Sequence, residues 1–292
     1  MRPGWRGGGC VLLAAALGAA CAVPSPSPAA GGAVPRSIEA LVNDYHRQGW
    51  FDGAVLVAEG DRVVYSGAFG LADREANAPF AASTRLRIGS ISKAFIALTV
   101  LGLAEEGRIA LDSTVSAYLP PSGLPLALSR RITVRQFLTH TSGLPDYNSI
   151  PAMFRTVQDS GLSEAEILRR IGRYPLRFEP GTGFGYSNDG YRVLAAVIAG
   201  ATGRPWEDAV RERVLAPAGM SSSGYASRGL FGPPPAAGFA AGYRRTVDTV
   251  APAPYYRESP ASGYYSTVED LYRFDRALYG DRLASPASKA LM

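Results

Sequence analysis

Lysine is nearly absent from this chain. Of its 30 basic residues only Lys93 and Lys289 are lysines, and the other 28 are arginines. Abundant Ala, Arg and Gly with scarce lysine fits a GC-rich coding sequence, which accounts for most of the arginines without invoking function. It does not account for the lysines that are kept. Cysteine is as scarce: Cys10 and Cys21 both lie near the N-terminus, so the body of the chain has no disulfide and no thiolate metal site. Histidine is limited to His46 and His140, which argues against a histidine-built zinc centre. No cofactor is expected. Charged residues make up 19% of the chain against 47% hydrophobic, a globular balance rather than a disordered one. Net charge is +5, but Arg130-Arg131, Arg169-Arg170 and Arg244-Arg245 are separate pairs. Without a clustered basic face, nucleic acid is not expected as a partner.

Apolar runs long enough to anchor the chain in a membrane are missing too. Arg2 and Arg6 precede Val11 to Ala20, which reads as the n-region and h-region of a secretory signal, too short to span a bilayer as an anchor. Residues 1–22 are assigned to this signal. Ala20-Cys21-Ala22 fits an A-x-A cleavage pattern. Leu17-Gly18-Ala19-Ala20-Cys21 resembles a bacterial lipobox, with Gly18 where a leucine is usual. Cys21 is thus either a lipid anchor or a passenger removed with the signal. Both readings export the protein, to the periplasm or beyond. Residues 23–36 are rich in Pro, Ser, Ala and Gly and form a tether. Residues 37–292 are long enough for one folded unit with a substantial core, expected to be a monomer.

Periodicity divides that unit. Ser37 to Gln48 is helical, and Gly53 to Gly70 is a hairpin turning at Glu59-Gly60-Asp61. Capping boxes at Thr133-Val134-Arg135-Gln136 and Ser163-Glu164-Ala165-Glu166 open short helices. An apolar helix is expected from Val193 to Ala199, stopped by Gly200, and another from Trp206 to Leu215. Residues 221–262 read as irregular, and Ser266-Thr267-Val268-Glu269 caps a last helix through Leu278.

The chemistry gathers around Ser90-Ile91-Ser92-Lys93. Ile91, Phe95 and Leu98 recur at helical spacing and predict one buried face, with Ser90 at the helix start and Lys93 one turn on, on the same side. A neutral amine so placed can take the serine proton and leave a nucleophile. An N-cap serine followed by a solvated cation is the plainer reading, but it does not explain why a lysine stands there in an arginine-rich chain. Arginine cannot give up its proton in a protein, whereas a buried lysine can. A partner could come from Tyr186, in the glycine-flanked loop Gly183-Phe184-Gly185-Tyr186-Ser187-Asn188. Asn188 adds a donor and an acceptor. Taken alone, that loop is equally a turn with Asn188 as N-cap.

These segments together resemble the serine β-lactamase and penicillin-binding protein superfamily, most of all its class C and esterase-like branch. The resemblance covers residues 37 to 292. Besides the two motifs above it includes Leu138-Thr139-His140-Thr141-Ser142-Gly143-Leu144, Pro217-Ala218-Gly219-Met220 and Ser262-Gly263-Tyr264-Tyr265-Ser266-Thr267-Val268-Glu269-Asp270-Leu271. It implies an α+β fold, an antiparallel sheet flanked by helices with a mostly helical second lobe. It implies Ser90 as acylated nucleophile, Lys93 as its activator, Tyr186 as acid or base, and Asn188 as a contact for the substrate amide or for Lys93. His140 would be structural. A Ser-His-Asp triad is disfavoured, since no G-x-S-x-G elbow occurs. The expected substrate is a β-lactam, a D-amino-acid peptide of the peptidoglycan type or a small ester; the competing reading is a non-hydrolytic sensor of cell-wall fragments. One departure stands out: the Lys-Thr-Gly or His-x-Gly strand motif of the family is missing, so the chain reads as lacking the C-terminal strands of that fold.

Overall fold

The computed structural model describes residues 37–120, 123–152, 154, 162–226, 243–245, 250–252 and 259–292. The signal, the tether and both cysteines lie outside the described residues. So does much of the stretch between 221 and 262.

Helix α1 (Ile38–Arg47) is capped by the Ser37 hydroxyl. It packs on the hairpin of β1 (Gly53–Glu59) and β2 (Arg62–Phe69), whose register shifts at Val57/Ala58. Among the described residues this sheet is two-stranded, and Val63 and Val64 are exposed on it. Short β3 (Leu71–Asp73) and β4 (Ala78–Pro79) pair next. A three-stranded sheet follows, in which β5 (Leu86–Arg87) and β6 (Gly224–Tyr225) flank the later strand Tyr264–Ser266. That strand becomes β9 after the pair β7 (Tyr243–Arg245) and β8 (Val250–Pro252).

Helix α2 (Ser92–Glu105) runs through the middle of the core. The spacing predicted one buried face, but nine of its fourteen residues are buried. A helix apolar all round must be covered all round. Phe95 and Ile96 are fully enclosed, and Phe95 meets Tyr264 and Phe274 edge-on, at 5.2 and 5.0 Å between ring centres. Two short helices, α3 (Val134–Leu138) and α4 (Glu164–Ile171), follow. The capping box on α3 is complete; on α4 only the Ser163 half forms, because Glu166 turns to Arg169 and Arg170.

Helix α5 (Asn188–Thr202) packs against α2 with Val193, Leu194, Val197 and Ile198 buried. It starts five residues before the predicted Val193 and runs past Gly200, ending at left-handed Gly203. Gly200 is not a stop. A Cβ there would sit 1.8 Å from the Tyr118 carbonyl oxygen, so the glycine permits close contact with that loop. Helix α6 (Trp206–Val210) widens into a π-turn at Arg211–Leu215. Helix α7 (Val268–Tyr279), capped by Thr267, lies along β1, and α8 (Pro286–Lys289) follows. None of the described helices is long and apolar enough to cross a membrane.

Candidate active site

Ser90 lies in a 3₁₀ turn, Gly89–Ile91, that leads directly into α2. The helix proper therefore starts two residues after the serine, and the Ser90 side chain is presented to solvent at its mouth. Buried Ser92 braces the turn: its hydroxyl donates to the Gly89 carbonyl (2.6 Å) and accepts the Tyr264 N–H (3.2 Å). The strand β9 is thereby tied to the residue before the nucleophile candidate.

Lys93 is 6% exposed, so its amine must find its partners inside the protein. Nζ lies 3.1 Å from Ser90 Oγ, 2.7 Å from Asn188 Oδ1 and 3.0 Å from the Ala261 carbonyl. Burial lowers its pKa from 10.5 to about 8, against an opposing pull from Asp146. The Tyr186 hydroxyl is 2.7 Å from Ser90 Oγ, and Lys93 Nζ lies 4.8 Å from the centre of the Tyr186 ring. Burial raises the Tyr186 pKa, partly offset by the Ser90 hydrogen bond, so the phenol keeps its proton at neutral pH. All four residues singled out in the sequence, Ser90, Lys93, Tyr186 and Asn188, thus meet in one hydrogen-bonded cluster.

His140 brackets the Tyr186 loop. It adopts a left-handed backbone conformation (φ 58°), its carbonyl accepts the Gly185 N–H (2.9 Å), and its Nδ1 accepts the Ser187 N–H (3.2 Å). Burial and then the Lys93 charge lower its pKa, which keeps Nδ1 an acceptor. Ser187, not Asn188, caps α5, through the Gly190 N–H. That leaves the Asn188 side chain for Lys93.

The sequence reading missed what lies behind this cluster. Asp146 and Asp189 are buried carboxylates, and Arg192 is a buried guanidinium. Asp146 follows a glycine-proline stop, and Asp189 and Arg192 sit in what resembled loop. The two carboxylates are joined by bonds across 42 residues, which no local spacing signals, and Arg192 enters through Asp189 and through Glu164, 28 residues away.

Solved structures place the chain in the β-lactamase/transpeptidase fold. A penicillin binding protein from Bacillus halodurans superposes with a TM-score of 0.75 at 26% identity, over 88% of this chain and 77% of its own. The model of the Beta-lactamase family matches residues 36–292, and the chain belongs to that family. Among curated relatives, a penicillin-binding protein of Bacillus subtilis (strain 168) is 33% identical over 82% of this chain and 54% of its own length. Esterase EstB of Burkholderia gladioli is 37% identical over 65% of this chain and 51% of its own. The chain spans about half the length of these curated relatives.

Proposed function

We propose that this protein is an exported serine hydrolase that works through an acyl-enzyme on Ser90. The observation that carries the reading is the set of partners around Lys93. Asn188 Oδ1 and the Ala261 carbonyl can only accept, so both take N–H bonds from the amine. Of the three contacts, only the Ser90 hydroxyl has a proton to give. When Lys93 is neutral, its lone pair is left for Ser90 Oγ–H. A pKa of about 8 makes that neutral form accessible near neutral pH.

The steps follow. Ser90 Oγ attacks the substrate carbonyl as its proton passes to Lys93 Nζ. The tetrahedral intermediate collapses, the acyl–leaving-group bond breaks, and the Tyr186 phenol donates to the departing atom. The proton taken by Lys93 passes to the Tyr186 phenolate, whose ring centre lies 4.8 Å from Nζ, and restores the phenol. Water, deprotonated by the same pair, then cleaves the ester and restores Ser90. Tyr186 is 43% exposed, so a substrate can reach it. The proposed substrate is a small ester, a D-amino-acid peptide or a β-lactam, a choice supported by a relative described as an esterase and others described as penicillin-binding proteins. Export is supported by residues 1–22, with Cys21 as the candidate lipid anchor.

The test is intact-mass analysis after exposure to a fluorophosphonate and, separately, to a fluorescent penicillin. One adduct per chain on the wild type and none on Ser90→Ala is the expected result. An adduct that persists on Ser90→Ala, or maps to Ser187, overturns the assignment.

A further inference from the structure

Behind the site lies an arrangement that the reaction above does not use. Asp146, just after the stop of the α3 turn, accepts the Asn188 backbone N–H with one oxygen and the Asn148 N–H (2.8 Å) with the other. Asp189, next to Asn188, accepts the Tyr147 backbone N–H (2.7 Å). Each of two segments, 42 residues apart, therefore offers the other one carboxylate and one N–H. The second Asp189 oxygen faces Arg192 Nε at 3.4 Å, and Arg192 Nη1 reaches Glu164 at 2.7 Å.

We propose that Asp146 and Asp189 form a reciprocal clasp that fixes Asn188 against Lys93, with Asp146 acting as a positioning residue for the amine. The proposal rests on the acyl-transfer reading of the site. The first N–H groups of a helix lack partners within it. On α5, Ser187 serves the Gly190 N–H, and Asp146 serves the Asn188 N–H. A neutral side chain could do the second task without bringing a charge out of water, which is costly. The carboxylate does more: it holds the backbone of the residue whose side chain holds Lys93, and it places a negative charge near that amine. A shift of about 1 Å in such a support can lower a rate a hundredfold.

The groups facing Lys93 are Ser90 on its own turn, Tyr186, Asn188 and Tyr191 from the loop and α5, His140 after α3, the Ala261 carbonyl, and Asp146 as the charged one. Asp146 favours the protonated amine. Removing its charge should therefore lower the pH at which activity rises.

The experiment compares wild type and Asp146→Asn in the full chain. Asparagine keeps the volume but has one acceptor for two N–H groups. The readouts are fluorophosphonate labelling, kcat/KM for p-nitrophenyl butyrate from pH 5 to 10, and amide hydrogen exchange at Asn188 and Tyr147. We expect a plateau rate lower by about tenfold or more, an acid limb shifted down by about half a unit or more, and faster exchange at Asn188. Asp146→Ala should lose more, and where it fails to fold the asparagine variant decides alone. A folded Asp146→Asn with an unmoved acid limb overturns the proposal, whether its rate is normal or uniformly reduced. Wild-type protein unlabelled at Ser90 overturns the acyl-transfer reading and the positioning role with it, a result distinct from labelled protein whose variant behaves normally.

Discussion

The two helices that meet at the site begin in opposite ways. Helix α5 has what a helix N-terminus favours: a serine cap, Asp189 in the first turn and the Asp146 carboxylate on its first N–H. Helix α2 has neither a side-chain cap nor an acid in its first turn, and carries Lys93 there. A cation at the positive end of a helix dipole, buried as well, is opposed twice. One helix start is therefore arranged for order, and the other keeps a destabilised amine beside a serine. If that contrast is right, changes at the α5 start that leave Asp146 and Asn188 in place should act on stability, and loss of the releasable proton at the α2 start should act on chemistry.

The largest effect should come from Arg192→Met. Breaking a buried pair from one side costs about 3–5 kcal/mol, and Arg192 has no exposure through which water could replace the loss. Pairing it with Asp189→Leu should recover part of that, though the Tyr147 N–H then loses its acceptor. Urea unfolding of the two variants checks this; equal instability of single and double variants would mean that the ions act independently.

At the α2 start, Lys93→Met should change how stability depends on pH. The folded pKa of about 8 lies below the 10.5 expected of an unfolded lysine. Below pH 8 both states are charged, and the folded state bears the whole cost of the buried charge, about 3 kcal/mol. Between pH 8 and 10.5 the folded chain has released a proton that the unfolded chain retains, so this group makes stability rise with pH across that window. The methionine variant should lack that rise. Unfolding measured at pH 7, 8.5 and 10 decides it, and parallel curves for the two proteins would show that Lys93 is not held neutral by burial.

Lys93→Arg asks the chemical question. Guanidinium keeps the charge and cannot release the proton. Acylation should fall about a hundredfold, the scale of losing a general base, with little change in melting temperature. Near-normal labelling rates would show that fixed charge suffices.

The contrast also explains what the sequence disclosed. At α2, the chemistry is local: Ser90 and Lys93 are one turn apart, and a lysine among arginines is conspicuous. The Tyr186 and Asn188 roles came from resemblance, since a Tyr-Ser-Asn turn is unremarkable alone. The start of α5 was missed because Asp189, Gly190 and Arg192 look like loop residues; in the fold Asp189 accepts the buried Tyr147 N–H and Arg192 reaches the exposed Glu164. Gly200 misled for a related reason. Glycine within a helix costs about 1 kcal/mol relative to alanine, so it reads as an end until the Tyr118 carbonyl is seen against it. The antiparallel sheet implied by resemblance has two strands at the hairpin among the described residues, while the separate three-stranded sheet, built from strands of two or three residues, was too short to leave a period in the sequence.

The smallest effect tests the α5 start by itself. Ser187 is buried, and its hydroxyl accepts the Gly190 N–H at 3.1 Å, while its own N–H donates to His140. Ser187→Ala removes the first bond and leaves the second, which belongs to the backbone. The loss should be about 1 kcal/mol, as for other N-cap serines. The Tyr186 loop should stay in place, because His140 grips it through the Gly185 and Ser187 amides and not through the serine hydroxyl. Labelling at Ser90 should then proceed within about twofold of wild type at a temperature where both are folded. A large loss of labelling with only a small drop in melting temperature would show that the cap hydroxyl touches the chemistry, and the division of labour between the two helix starts would fail.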